Sequence, residues 1–167
     1  MGRLTLKLVG QAAIDVGALD HNGKLRLADE IFVVQPNLLG SILVLARMGV
    51  SMPEVEIGVH ILLVAFQAMK RSRHRWDMVT MEMQEACMDR LTARKRFNEG
   101  LPAELAAKAV TQFCNEHAER YLLAYAYGYL GEHDLLTVRT DAEKSLLLAV
   151  LNLVECIAHV GAKTPRS

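Results

Sequence analysis

The chain has 167 residues, with 19 Lys plus Arg against 19 Asp plus Glu, 51% apolar residues and 5% aromatic ones. At roughly 150 residues per domain this is one domain, large enough to bury a core without disulfide or metal staples and too apolar to be disordered. Zero net charge excludes a general attraction to nucleic acid or to an anionic membrane.

Residues 1–36 carry two competing patterns. Leu4, Leu6 and Leu8 alternate with polar residues, as do Leu25 and Leu27 with Lys24 and Arg26, and Asn22-Gly23 is a strong turn signal. That reading gives a small hairpin. A helix over residues 3–16 is equally allowed, because Val9, Ala12, Ala13 and Val16 would share a face.

After Pro36 the signals are helical. Asn37 caps a helix over 38–48 that Gly49 closes. Ser51-Met52-Pro53-Glu54 is a capping box for a helix that runs to about Lys70 and is apolar almost all round, the mark of a central helix. Arg-Ser-Arg-His-Arg at 71–75 breaks the pattern. A third helix is expected over 77–97, with Met81, Cys87, Met88 and Leu91 inward, and a fourth from Pro102 to about Leu130. A loop over 131–139 leads to a second capping box, Thr140-Asp141-Ala142-Glu143, and a last helix over 141–160. The expected fold is therefore all-α, or mostly α with a small N-terminal hairpin: about five helices in one orthogonal or bundle-like domain over 37–160. Residues 1–36 pack on that domain and 161–167 form a tail.

Cys87, Cys114 and Cys156 are odd in number, widely spaced and embedded in apolar patterns, so they read as small buried hydrophobes in a reducing compartment. Residues 1–11 lack the unbroken apolar run of a signal peptide. The longest apolar stretches, 55–69 and 146–154, fall short of the roughly 20 residues a membrane span requires. The expected location is cytoplasmic, with no membrane partner.

Gly49-Val50-Ser51-Met52-Pro53-Glu54-Val55 resembles the turn of helix-turn-helix DNA-binding domains, over about 20 residues from Ser41 to His60. It departs from that family at Leu45, where a small residue lets the helices cross. The would-be recognition helix also offers Glu54 and Glu56 rather than base-reading donors. A basic segment follows: residues 70–96 hold eight cations against four acids, a net of +4. Its candidate patch is Lys70, Arg71, Arg73, Arg75, Arg94, Lys95 and Arg96, with Trp76 beside it able to stack on a base. The same cations also suit helix C-termini. Nucleic acid is the second choice of partner on these grounds.

Seven of the eight methionines lie between Met48 and Met88. Met78, Met81 and Met83 span about 500° of helical rotation, so one core cannot take all three. Methionine surfaces adapt to partner helices. Phe113, His117, Tyr121, Tyr125 and Tyr129 stand at i, i+4 spacing and make a ridge suited to a groove edge or a subunit contact. The candidate partner-binding residues are Met78, Met81, Met83, Tyr121, Tyr125 and Tyr129.

Catalytic patterns are weak. His133-Asp134 resembles the His-Asp doublet of HD-type phosphohydrolases, but it falls in a loop rather than on a helix. Asp20-His21-Asn22-Gly23-Lys24-Leu25 through Asp29 resembles the calcium loop of EF-hand proteins, with Ala18 where the first carboxylate belongs. Nucleophile motifs, phosphate loops and paired Glu-x-x-His motifs are missing. The sequence therefore points to a protein-interaction module without an evident catalytic site, cofactor or metal. It would be an adaptor, chaperone-like or self-assembling, with a homodimer the expected state. A nucleic-acid-binding regulator, and a metal-dependent hydrolase built on His60, His117, His133 or His159, are the alternatives.

Overall fold

The computed structural model describes residues 2–163. In chain order it contains α1 (Leu6–Gly17), α2 (His21–Val34), α3 (Pro36–Leu43), a 3-10 turn (Val44–Met48), α4 (Met52–Ser72), α5 (Met81–Glu99), α6 (Ala103–Glu116), α7 (Arg120–Glu132) and α8 (Asp141–Lys163). Among the described residues there is no strand, and the fold is all-α with eight helices rather than five.

The hairpin expectation fails at a cap. Asp20 Oδ1 accepts the Gly23 N–H at 2.7 Å, which nucleates α2 and puts Asn22-Gly23 in its first turn. The calcium-loop resemblance falls with it, because residues 21–29 are helical. Thr5 caps α1 in the same way, accepting from Leu8. Both helices belong to the core: Leu4, Val9, Ala12, Val16, Leu27 and Ile31 join the buried cluster. The single helix expected over 102–130 is broken at Ala118-Glu119. There the backbone turns so that the Glu119 carboxylate can accept the Arg3 and Leu4 N–H groups, at 2.8 and 3.1 Å. Gly161, Ala162 and Lys163 extend α8 rather than starting a tail; residues 164–167 lie outside the described ones.

α4 is the hub. It packs against α1, α2, α3, α7 and α8, and Ile61 to Phe66 are all buried, so its apolar circumference has a neighbour on every side. Gly49 (φ 87°) closes the 3-10 turn in the left-handed region, and Ser51 caps α4 by accepting from Glu54. Gly58 lets α4 cross closely: a Cβ there would stand 3.1 Å from Ile42 and 3.3 Å from Leu146. α8 packs on α3, α4, α5 and α7. The connector from α4 to α5 is clamped to α3 by Gln35, which donates to Asp77 O and accepts from Val79 N, both at 2.9 Å.

Both α4 and α8 outrun the apolar stretches visible in the sequence. Met52–Ser72 and Asp141–Ala162 are each long and apolar enough to cross a membrane, with 56% of each apolar window buried inside the fold. The pair His21–Val34 and Pro36–Met48, bent by 119°, passes the same test together. α6 is the opposite case. It is amphipathic, yet it buries none of its residues, packing loosely on α5 and α7.

Candidate functional site

α5 divides its residues by face. Cys87 and Leu91 are buried, but Met81, expected inward, is 65% exposed. Met81, Gln84, Glu85 and Met88 follow i, i+3, i+4, i+7 spacing and share the neighbouring face. Gln84, Glu85 and Met88 line a cleft of about 350 Å³ with Val44 and Met48 of the 3-10 turn and Leu148 of α8. Val44 and Met48 are exposed. At the cleft wall Asn152, more than nine-tenths buried, donates to Gln84 O at 3.1 Å, while its Oδ1 finds no hydrogen-bond partner. Of the other candidate methionines, Met78 is exposed on the connector and Met83 packs on the core.

A second cavity, about 380 Å³, opens where α6 leans away from α5 and α8. Its walls are apolar: Leu91, Val110, Phe113, Leu147 and Leu151, with Tyr127 behind them. Arg94, Lys95, Asn98 and Glu99 stand on the α5 side. The Arg94 guanidinium lies 3.8 Å over the Phe113 ring, and its Nη1 is buried without a hydrogen bond, 3.9 Å from Glu155. Glu155 is engaged elsewhere. His117 accepts the Glu119 N–H at Nδ1 (3.0 Å), which leaves Nε2 as the protonated nitrogen of the neutral ring, donating to Glu155 at 2.9 Å. With both ring nitrogens occupied, His117 has none left to serve as a base for nearby Cys114.

The tyrosine ridge is split by the break before α7. Tyr125 and Tyr129 turn toward α4 rather than to solvent. His60 Nε2 lies 2.8 Å from the Tyr125 hydroxyl, and its ring stacks on Tyr129 at 4.2 Å. His133 flanks the other side of Tyr129 at 4.7 Å. Burial holds His60 below its ordinary value and pushes Tyr125 up to about 12. Tyr121 is half-buried beside Arg120.

The basic patch does not assemble as one surface. Lys70 is paired with Glu30 at 2.8 Å, and Arg71 grips Asp15 through both of its nitrogen types. Arg73 takes the left-handed cap of α4 and, like Arg75, is exposed. Arg94 faces the second cavity, with Lys95 beside it and Arg96 outside. Trp76 is not free to stack: its N–H donates to Ser72 and Met69 O, and Arg3 covers its ring at 5.9 Å. The helix-turn-helix elbow forms, but the helix after it is α4, enclosed by five others. His133-Asp134 follows α7, with Asp134 paired to Arg139. Among the described residues no three His, Cys, Asp or Glu side chains gather in a metal-binding group. Cys87 and Cys156 are buried, and Cys114 is half-buried. Burial, with Cys87 adjacent, pushes the Cys156 thiol up.

Sequence reading missed Gln35, Glu119 and Asn152, polar groups buried to tie distant segments together. It also missed Leu147, Leu148 and Leu151. The signal for the leucines was present: α8 carries apolar residues on more faces than its buried stripe, which includes Leu146, Val150, Leu153, Val154 and Ile157, needs. No family model, curated protein or solved structure matches this chain.

Proposed function

We propose that the chain is a helical protein-interaction module that associates with a second copy of itself through the methionine-lined cleft between the 3-10 turn, α5 and α8. The observation that carries this reading is the gathering of Val44, Met48, Met88 and Leu148 around one open apolar cleft. A cluster of flexible, exposed apolar side chains marks an interaction surface rather than a monomer's ordinary exterior. The face is poor in charge. Glu85 on the cleft and Arg47 beside Met48 make no ion pair within the chain among the described residues. In a two-fold interface each residue meets its counterpart's partner. One Arg47 then faces the other protomer's Glu85, twice, which suits a second copy better than a partner of single-signed charge.

This reading keeps the chain in water, in the cytoplasm. Glu56, His60 and Gln67 on α4, and Asn152 and Glu155 on α8, interrupt both long apolar helices, and the burial of those helices comes from other helices of the same fold. The test is sedimentation equilibrium on wild type, Arg47→Glu, and Arg47→Glu combined with Glu85→Arg. The expected masses are twice 18.5 kDa for wild type, a monomer for the single variant, and a restored dimer for the charge-swapped pair. A wild type that stays monomeric throughout the micromolar range rejects self-association. A single variant that dimerises as wild type does moves the interface away from this cleft.

A further inference from the structure

We infer that the cavity between α5, α6 and α8 binds a single-chain carboxylate amphiphile, a free fatty acid of medium length. Three independent observations converge on it. The first is the state of α6. Its apolar face points at the fold, yet none of its residues is buried, because a cavity of about 380 Å³ lies where a packed helix would meet α8. An apolar guest completes that packing, and its burial supplies the driving force. The second is the lining. Leu91, Val110, Phe113, Leu147 and Leu151 make a wall for a hydrocarbon chain and offer it no hydrogen-bonding group.

The third is the charge at one end. Arg94 presents a guanidinium whose Nη1 is buried with no hydrogen bond, stacked on Phe113 and too far from Glu155, at 3.9 Å, to be satisfied by it. Lys95, next to it, has no ion pair among the described residues. Glu99 is also on this side but exposed, and Glu155, 3.9 Å from Arg94, is held by His117, which leaves Lys95 as the cation there without an acidic partner among the described residues. The rest of the Arg94 side chain is partly exposed, and a planar guanidinium favours an anion with two acceptor oxygens, which a carboxylate supplies. An atom of chain takes about the share of volume a liquid water takes, roughly 30 Å³, so the cavity holds on the order of a dozen heavy atoms, the size of decanoate. The site lies on the far side of Leu148 from the methionine cleft and does not use Arg47 or Glu85, so it stands or falls separately from self-association.

The experiment is calorimetric titration of decanoate and of decan-1-ol into wild type, Lys95→Glu and Val110→Trp at neutral pH, below the aggregation concentration of either ligand. Val110 is exposed on α6, so its replacement fills the cavity without entering the core. If circular dichroism shows that this variant is misfolded, Ala106→Phe takes its place. The expected result is one decanoate per chain, at least tenfold tighter than decan-1-ol. Lys95→Glu should weaken decanoate at least tenfold and leave decan-1-ol unchanged, while the filled cavity binds neither. Hydrogen exchange of amides 103–116 should slow on adding decanoate. No decanoate binding by wild type overturns the inference. So does equal affinity for the alcohol, or a filled cavity that still binds as wild type does.

Discussion

His60 sits midway along α4 with Tyr129 stacked on its ring and the Tyr125 hydroxyl on its Nε2. Tyr125, pushed up to about 12 by burial, keeps its phenol proton, so a neutral His60 accepts it and carries its own proton on Nδ1. Burial first, then the nearby positive charges of Lys24 and His133, hold the imidazole below its ordinary 6.5. The linkage sign follows. A histidine that resists protonation in the fold lends stability that is complete above pH 6.5 and is lost as pH falls toward the folded value. Urea midpoints measured from pH 8 to pH 5 should therefore fall through this window in wild type and flatten in His60→Gln. An unchanged slope in the variant would assign the effect elsewhere. At pH 8, losing the hydroxyl in Tyr125→Phe should cost about 1 kcal/mol. Two carboxylates act with opposite sign further down the scale. Asp15, held far below the usual carboxylate range by hydrogen bonds from Arg71 and then Gln67, stabilises the fold above that range and loses its effect as acid is added. Glu119, raised by burial despite its two backbone donors, stabilises most when protonated and least above its folded value.

Some helix ends were legible in local chemistry, though Asn37, expected as a cap, lies inside α3 and donates to Val79 O instead. Ser51 and Thr140 do cap α4 and α8, and Gly49 does close the turn before α4. The failures have two causes, one local and one long-range. Asn22-Gly23 has strong turn chemistry, but Asp20 two residues earlier offers a better-satisfied cap. The break between α6 and α7 depends on Arg3 and Leu4, 115 or more residues away, which no local pattern reports. The methionines were legible as an excess that one face could not absorb, but which of them gather at the cleft depends on the path of α3 and the 3-10 turn beside α5. Gly58 is a similar case: nothing local explains a glycine inside the central helix. Its place at the crossing with α3 and α8 does, since a Cβ would press Ile42 and Leu146. Gly58→Val should cost about 1–3 kcal/mol by overpacking, well beyond what its helix propensity returns. Equilibrium denaturation measures it, and a variant as stable as wild type would mean that the three helices can separate freely at this crossing.

Burial across the whole molecule is uneven, and the unevenness sets where it opens. α4 is enclosed by five helices, and α8 joins it at the centre. α6 buries no residue, begins at Pro102 without a side-chain cap, and ends where His117 turns away to bond Glu155. Local opening free energy follows buried apolar contact, so these elements belong to different cooperative units. Native-state hydrogen exchange should place the amides of 61–66 at the free energy of global unfolding. The amides of 107–112 should exchange at least a hundredfold faster, with a smaller denaturant dependence, because unfolding α6 alone exposes little surface. A common denaturant slope for both would make α6 part of the central unit and would require an anchor beyond its present contacts. The arrangement also orders the two proposed surfaces by rigidity. The methionine cleft rests on α8 and the capped elbow before α4, a firm base for docking another folded chain. The cavity under α6 has the least anchored helix as its outer wall, and an apolar ligand can enter there by displacing few contacts.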